Sequence, residues 1–325
     1  MIQFTLGIDV SKDTLDFALL GGKKTEYRHF TNNESGYSHL VNWLHKAGAK
    51  TPHACLEATG QYGEGVATYL HNHGYWVSVV NPACIKAYAA SMMRRFKSDK
   101  GDAEVIALYC QKEVPALWTP PPDSFRELQY LVRYLDDLKS MRQQERNRLK
   151  SGVTSLRVRA DLKAHIDFMG AQIEQLTKEI ARHIDQYPEL KKQKELLKSI
   201  PGIGDITAAA LLSEVRDFGA FESARQLAAY AGLVPEQRDS GTSVHKKPRM
   251  GKRGNSHLRK SLYMPAIVAI RHNPIVRALS ERLKATGHCS MSVVGAAMHK
   301  LLHLAYGVIK TGKRFDPAYG QNLTA

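Results

Sequence analysis

The order of short apolar segments at the amino end constrains the fold of this chain more than any other feature. Three segments between residues 4 and 31 alternate apolar and polar side chains, as strands do: FTLGIDV, TLDFALL and EYRHFT. The helical spacing of Tyr37, Leu40, Val41 and Leu44 then predicts a helix. A strand at HACLEATG, a helix over residues 62–73 and a strand at WVSVV follow. The predicted order is β-β-β-α-β-α-β-α.

Three consecutive strands followed by alternating helices and strands predict a mixed sheet with helices on its faces. This is the element order of an RNase H-like domain. Pro120, Pro121 and Pro122 end this part of the chain, because consecutive prolines remove backbone donors and keep their neighbours extended. We therefore predict an α/β domain over residues 1–119.

A long helical segment is predicted over residues 120–195. Its apolar residues follow the alternating spacing of three and four that is typical of a coiled coil. Two helices joined near Ser151-Gly152 form either an intramolecular hairpin or an arm that joins subunits. The apolar positions are Leu128, Leu131, Leu135 and Leu138 before the joint and Leu162, Ile166, Met169, Ile173, Leu176 and Ile180 after it.

Residues 196–325 are predicted to form a third, mainly helical domain. The segment KSIPGIGDITAAALLSEV has the turn and small-residue helix of a helix-hairpin-helix. In such a turn Gly202 and Gly204 let the backbone approach a phosphate, although plain helix connections have similar turns. A polar loop over residues 234–255 and three helices, over residues 256–271, 274–285 and 290–311, are predicted to follow.

The charge of the chain favours a polyanionic partner. With 46 Lys and Arg against 31 Asp and Glu, the formal net charge is +15, which favours nucleic acid over an anionic membrane surface. Residues 196–325 carry 19 basic and 8 acidic side chains, against 12 and 11 in residues 1–119. The loop before Lys260 is especially basic and is a predicted phosphate contact. The candidate contacts are Lys246, Lys247, Arg249, Lys252 and Arg253, together with Gly202 and Gly204.

Four carboxylates in residues 1–119 are candidates for a metal site. Asp9 ends the first predicted strand, Glu57 follows the fourth, and Asp99 and Asp102 have the i, i+3 spacing of one helix face. In an RNase H-like sheet the first and fourth strands are neighbours, so the four side chains are expected to converge. Converging carboxylates need cations, as in a two-Mg²⁺ site for phosphoryl transfer. Each acid alone also fits a turn or a helix start, and Asp13, Asp16 and Glu64 are interpreted as surface or turn residues.

A serine is the candidate nucleophile. Ser240, Ser243 and Ser256 lie in or beside the basic loop, and the residues alone do not choose among them. A serine hydroxyl needs a base or a metal before it becomes an effective nucleophile.

The cysteines and the amino end indicate a reduced, cytoplasmic setting. Cys55, Cys84, Cys110 and Cys289 form no C-x-x-C pair, so neither a zinc site nor a disulfide framework is predicted. The start MIQFTLGIDVSKD lacks the pattern of a targeting segment, and no apolar run approaches the ~20 residues that span a bilayer. We expect a bacterial cytoplasmic, nucleoid-associated protein that does not bind membranes.

Taken in order, the motifs resemble the DEDD transposases of bacterial insertion sequences, the family of bridge-RNA-guided recombinases that includes the Piv-type invertases. The resemblance covers nearly the whole chain and depends on GIDVSK, LEATGQY, KSDKGDA, SIPGIG, AAYAGLVP, DSGTS and GKRGNSHLR. In this family a Thr usually precedes the first Asp of the acidic helix motif, and Ser98 stands there in this chain. The change leaves the carboxylate pair intact.

This resemblance implies a role for each candidate residue. It implies that Asp9, Glu57, Asp99 and Asp102 are the metal-binding set of a RuvC-like domain, with Mg²⁺, or Mn²⁺ in its place, as cofactor. It also implies that Ser240 attacks a DNA phosphate and forms a phosphoserine-DNA intermediate.

The same resemblance implies the partners. They are donor DNA, target DNA and a structured non-coding guide RNA whose loops pair with both. In this family the serine and the acids of one site come from different protomers, so we expect a homo-oligomer, a dimer or a tetramer, with composite active sites.

Three other functions remain as alternatives. A RuvC-like metal nuclease or Holliday-junction resolvase would use water as its nucleophile. An actin- or hexokinase-like ATPase shares the pattern GIDVSKDTLDFA, but the sequence lacks a Gly-rich second phosphate motif. A non-catalytic helix-hairpin-helix protein would leave the four acids unexplained.

Overall fold

A computed structural model of the chain contains a five-stranded sheet, a two-stranded sheet and twelve α-helices among the residues it describes. These residues are 4–21, 24–58, 60–92, 99–240, 244–251 and 254–318, and the side chains of Gln61, Asp99, residues 236–240 and residues 244–249 are not described. The chain divides into two compact units, Met1–Pro120 and Pro121–Ala325. The further division of the second unit at residue 195 stays a prediction.

The first unit contains the five-stranded sheet, whose order is β3-β2-β1-β4-β5. Strand β1 is antiparallel to β2 and parallel to β4, so the predicted mixed sheet is confirmed. The element order agrees with the prediction as far as α3, and a further helix, α4, follows where the predicted order has only one helix after the last strand. The strands are β1 (Thr5–Val10), β2 (Thr14–Leu20), β3 (Glu26–Thr31), β4 (His53–Glu57) and β5 (Trp76–Val80), and the helices are α1 (Glu34–Lys46), α2 (Glu64–Asn72), α3 (Pro82–Ser91) and α4 (Asp99–Glu113).

Helices cover both faces of this sheet, because successive strand residues point to opposite sides. Leu6 and Ile8 of β1 pack with residues of α1 and α2 on one face. On the other face α4 lies across β1, β2 and β4. A Cβ atom on Gly7 would lie 2.0 Å from the carbonyl oxygen of Ala103, so glycine is required where α4 approaches β1.

Two long helices begin the second unit and form an antiparallel hairpin. Helix α5 (Asp123–Lys150) and helix α6 (Leu156–Gln186) are joined by a turn at Ser151 and Gly152, where Gly152 has a φ of +89°. The joint is where the sequence predicts it, and of the two predicted arrangements the structure contains the intramolecular hairpin. The buried residues of its seam include Leu128, Leu135, Leu138, Ile173, Leu176 and Ile180.

The remaining helices share one hydrophobic core with this hairpin. By length and composition alone, α12 is apolar enough to cross a membrane, but Leu301, Leu302 and Ala305 bury one of its faces in the core. The three helices predicted after residue 255 are confirmed within one residue. The helices are α7 (Pro188–Lys198), α8 (Asp205–Val215), α9 (Ala224–Tyr230), α10 (Ser256–His272), α11 (Pro274–Ala285) and α12 (Ser290–Thr311).

The prediction of a polar loop over residues 234–255 is wrong in one respect. Strands β6 (Pro235–Ser240) and β7 (Val244–Met250) pair there as an antiparallel hairpin. The segment has few apolar residues, so it shows no hydrophobic alternation that predicts strands. Backbone hydrogen bonds need no particular side chain, and they pair these strands.

Candidate active site

Two of the predicted carboxylates lie side by side at one edge of the five-stranded sheet. Ile8 of β1 is in register with Leu56 of the parallel strand β4, so Asp9 and Glu57 occupy the next position on each strand. Both residues are half-buried. Neighbouring strands are about 4.8 Å apart, which places the two carboxylates at adjacent positions.

Both carboxylates are on the sheet face that α4 covers. Asp9 follows Gly7 by two residues, and Glu57 follows Cys55, which packs with Ile106 of α4. A hydrogen bond with Cys110, burial and the charge of Glu57 all raise the pKa of Cys55, so its thiol stays neutral. All four cysteines lie within the described ranges and are free thiols.

Helix α4 brings the other two acids toward this edge. Asp99 is its first residue, and Asp102 is half-buried immediately before Ala103, the residue that contacts Gly7. The side chain of Asp99 is outside the described part of the structure. Among the described side chains, no three His, Cys, Asp or Glu residues are grouped around one metal position. Convergence of all four carboxylates therefore stays a prediction.

Next to Asp9, polar residues of the neighbouring strands β2 and β3 form a row across the sheet, and the predicted set does not include them. Asp16, which the sequence analysis leaves as a surface or turn residue, lies in β2 directly opposite Asp9. His29 is opposite Asp16 in β3, and its Nδ1 atom lies 3.0 Å from the Asp16 carboxylate. The surface or turn interpretation of Asp16 is wrong, because Asp16 shares a face with Ala18 and Leu20, which pack against α4. In a strand over TLDFALL every second residue points to the same face, so Asp16, Ala18 and Leu20 are expected on one side of the sheet.

A second group missed by the sequence analysis joins the loops that follow the two acidic strand ends. The Asn32 side-chain amide donates to the carbonyl oxygen of Ser11, after β1, at 2.9 Å and to that of Tyr62, after β4, at 3.0 Å. The Tyr37 hydroxyl donates to the Asn32 side-chain oxygen at 2.6 Å. These bonds hold together the two loops next to Asp9 and Glu57.

The predicted nucleophile lies in the second unit, on the hairpin of β6 and β7. Ser240 ends β6 and is in register with Val244 of β7. Its side chain is not described, and the same is true of Lys246, Lys247 and Arg249 in β7, while Ser243, Lys252 and Arg253 lie outside the described residues. The third serine, Ser256, is exposed at the start of α10. The roles of these residues stay predictions.

The predicted glycine turn connects α7 and α8. Gly202 has a φ of +107°, and a Cβ atom there would lie 2.8 Å from the Cβ of Ala269, so this glycine serves close packing against α10. Gly204 is exposed, with open space around it. A hydrogen bond from Lys198 outweighs partial burial and lowers the pKa of Asp205, the first residue of α8. A carboxylate thus already lies at this helix start, and phosphate binding there stays a prediction.

A cavity of about 2150 Å³ in the second unit adds basic groups that the sequence analysis does not single out. Lys139 of α5, Arg282 of α11 and Lys300 of α12 line it, together with apolar side chains from the same helices. Burial lowers the pKa of Lys139. These three basic residues are far apart in the sequence, so no cluster of charges along the chain predicts that they line one cavity.

Comparison with known proteins relates both units of the chain to transposases. A family model described as a transposase matches residues 6–157, and the model for the Transposase IS116/IS110/IS902 family matches residues 194–281. The chain is 37% identical over 319 residues to the pilin gene-inverting proteins of Moraxella bovis and Moraxella lacunata, which covers 97% of this chain and 98% of each relative. It is 27% identical over 304 residues to the transposase for insertion sequence element IS1111A of Coxiella burnetii, covering 82% and 78%.

The mixed sheet, the strand-end carboxylates and these matches define a transposase, an enzyme that acts on DNA. The chain belongs to the IS110 family of DEDD transposases. The resemblance to insertion-sequence transposases and to Piv-type invertases is thereby confirmed. Guidance by RNA and the nucleophilic serine stay predictions.

Proposed function

We propose that this transposase cuts and rejoins DNA strands with two sets of residues. Asp9, Glu57, Asp99 and Asp102 hold a divalent cation, and Ser240 attacks the DNA phosphate. The main support is the position of Asp9 and Glu57 on adjacent parallel strands, facing the helix that carries the other two acids.

The carboxylates suit a hard cation, because Mg²⁺ and Mn²⁺ prefer oxygen ligands. Such a cation would offset the negative charge that develops on the phosphoryl oxygens. The protein itself supplies orientation. Gly7 permits the close approach of α4, and Asn32 holds the loops after β1 and β4 in place.

The proposed reaction is a phosphoryl transfer in two balanced steps. The Ser240 oxygen forms a bond to phosphorus while the bond from phosphorus to a sugar oxygen breaks. The serine hydroxyl loses a proton, and the departing sugar oxygen gains one. In the second step a hydroxyl of the partner duplex attacks the phosphoserine, its proton is lost, and the serine hydroxyl is restored.

Family resemblance supports the remaining parts of the proposal. A structured guide RNA pairs with donor and target DNA, and the protein contacts nucleic-acid backbones through the basic residues of β7 and the loop that follows it. The serine and the acids of one active site come from different subunits of a homo-oligomer. The charge of +15 agrees with such partners.

A covalent protein-DNA adduct tests this proposal. Purified protein is incubated with guide RNA, Mg²⁺ and labelled donor or target DNA, and the products are separated on a denaturing gel. We expect a labelled adduct with the wild type and a loss of at least about 10³-fold with Ser240→Ala, because the attacking oxygen is gone. Ser256→Ala is the matched control and retains the adduct.

Cleavage without an adduct, undiminished by Ser240→Ala, would contradict the serine mechanism. That result would assign the protein to the RuvC-like nucleases that use water, and only the carboxylate half of the proposal would stand. Adduct formation that is equally fast without the RNA would contradict guidance by RNA.

Nucleic-acid binding is expected to weaken steeply as salt is added. Each phosphate neutralised by Lys or Arg contributes about −0.9 to the slope of log K against log salt concentration for duplex DNA. A variant with five simultaneous replacements by glutamine should therefore have a slope that is shallower by up to about 4 to 5 units. The replaced residues are Lys246, Lys247, Arg249, Lys252 and Arg253. Filter binding over a salt series measures this slope. An unchanged slope would contradict the assignment of these residues as phosphate contacts.

A further inference from the structure

A buried carboxylate in the second unit has no role in the proposed chemistry. Glu214, near the end of α8, has a side chain that is only 2% exposed. Arg133 of α5 donates to both of its oxygens, at 2.8 and 3.0 Å. The Asn255 side-chain amide donates to one of the same oxygens at 2.8 Å. Burial opposes the charged form, but these hydrogen bonds prevail and lower the pKa of Glu214.

Asn255 is where the chain returns from the hairpin that carries Ser240. Its backbone N–H donates to the carbonyl oxygen of Tyr230 at 2.7 Å, and Tyr230 lies just before the chain leaves for β6. The Tyr230 hydroxyl donates to the backbone oxygen of Glu214 at 3.3 Å. Both ends of the hairpin segment therefore meet at Glu214.

Glycines allow these two chain ends to approach each other closely. Gly254 has a φ of +88°, and a Cβ atom there would lie 2.5 Å from the backbone nitrogen of Gly232 and 2.6 Å from the carbonyl oxygen of Tyr230. Arg259, one turn into α10, donates to the carbonyl oxygen of Ala231 at 3.1 Å. The base of the hairpin is thus packed and hydrogen-bonded on both sides.

We propose that Glu214 is a positioning residue for the Ser240 hairpin, acting through Asn255 and held by Arg133. A two-stranded hairpin alone is marginally stable, so its direction depends on how its base is anchored. A displacement of about 1 Å at a reacting group costs on the order of 10²-fold in rate. This inference rests on the proposed role of Ser240.

Asn255→Ser separates anchoring from helix capping. The Asn255 side-chain oxygen accepts the Leu258 N–H at the start of α10, and a serine keeps this kind of cap. The serine has no amide to donate to Glu214. Asn273→Ser is the matched control, because the Asn273 side-chain oxygen caps α11 in the same way while its amide donates to the carbonyl oxygen of Pro201, outside the hairpin base.

The rate of adduct formation in a single turnover, the Kd for DNA and hydrogen exchange of residues 235–250 are measured for both variants. We expect Asn255→Ser to slow adduct formation about 10- to 100-fold with a Kd within about two-fold of wild type, and to speed exchange in the hairpin. Asn273→Ser should leave the rate within about three-fold of wild type. Glu214→Gln should act like Asn255→Ser.

Equal adduct rates and equal hairpin exchange in the two asparagine variants would overturn the inference. If Glu214→Gln does not fold, Asn255→Ser still decides, because it leaves the pair of Arg133 and Glu214 in place. If the wild type forms no adduct, the proposed function fails, and hydrogen exchange alone then decides whether Glu214 anchors the hairpin.

Discussion

Replacing Asp102 with alanine is expected to lower DNA strand cleavage by roughly 10²- to 10³-fold and to leave RNA binding nearly unchanged. Asp102 is on the first turns of α4, next to the residue that contacts Gly7, and the proposal assigns it to the cation. Loss of one carboxylate removes charge stabilisation from the reacting phosphate. A cleavage assay with labelled DNA and a binding assay with guide RNA measure the two quantities.

Asp13→Ala is the matched control for this experiment. Asp13 is an exposed carboxylate in the turn between β1 and β2, so its removal should leave cleavage within about two-fold of wild type. Wild-type cleavage by Asp102→Ala would remove Asp102 from the proposed metal site. Equal losses in both variants would indicate a general effect of negative charge on the protein.

Gly7→Ala is expected to destabilise the first unit by about 3 kcal/mol. The added Cβ would lie 2.0 Å from the backbone oxygen of Ala103 and 2.5 Å from the backbone nitrogen of Ala107, and neither backbone atom is able to move without displacing α4. Because α4 carries Asp99 and Asp102, cleavage should fall as well. All three tryptophans, Trp43, Trp76 and Trp118, belong to this unit, so tryptophan fluorescence during denaturation measures its stability alone.

Gly74→Ala provides the comparison, because Gly74 has a φ of +80° and open space around it. Only backbone strain, about 1 to 2 kcal/mol, is expected there. A loss at Gly7 no larger than the loss at Gly74 would mean that α4 adjusts freely on the sheet. In that case the helix would not hold its two acids in a defined place.

Much of the first unit follows from local patterns in the sequence. Its central strands are short and rich in apolar residues because both sheet faces are packed, one on α1 and α2 and the other on α4. The hairpin of α5 and α6 was one of two predicted arrangements, since an apolar seam has the same spacing whether its partner lies in the same chain or in another. Only the tertiary structure shows that Leu135, Ile173 and Leu176 are buried together within a single chain.

The missed residues share a physical cause. Asp16 and His29 belong to different strands, and only strand pairing places them in a row with Asp9. Asn32 and Glu214 act through hydrogen bonds to segments far away in sequence, so no spacing reveals their partners. The polar strands β6 and β7 had no hydrophobic alternation to predict them.

By itself, the sequence determined the order of most elements in residues 1–119, the basic character of the carboxyl third and the four candidate acids. Each of these is a property of residue type and of spacing along the chain. The tertiary structure alone decided that Asp9 and Glu57 are adjacent on one face, that Gly7 admits α4 beside them, and that Glu214 joins both ends of the Ser240 hairpin. Those facts depend on contacts between distant segments, which form only when the chain is packed.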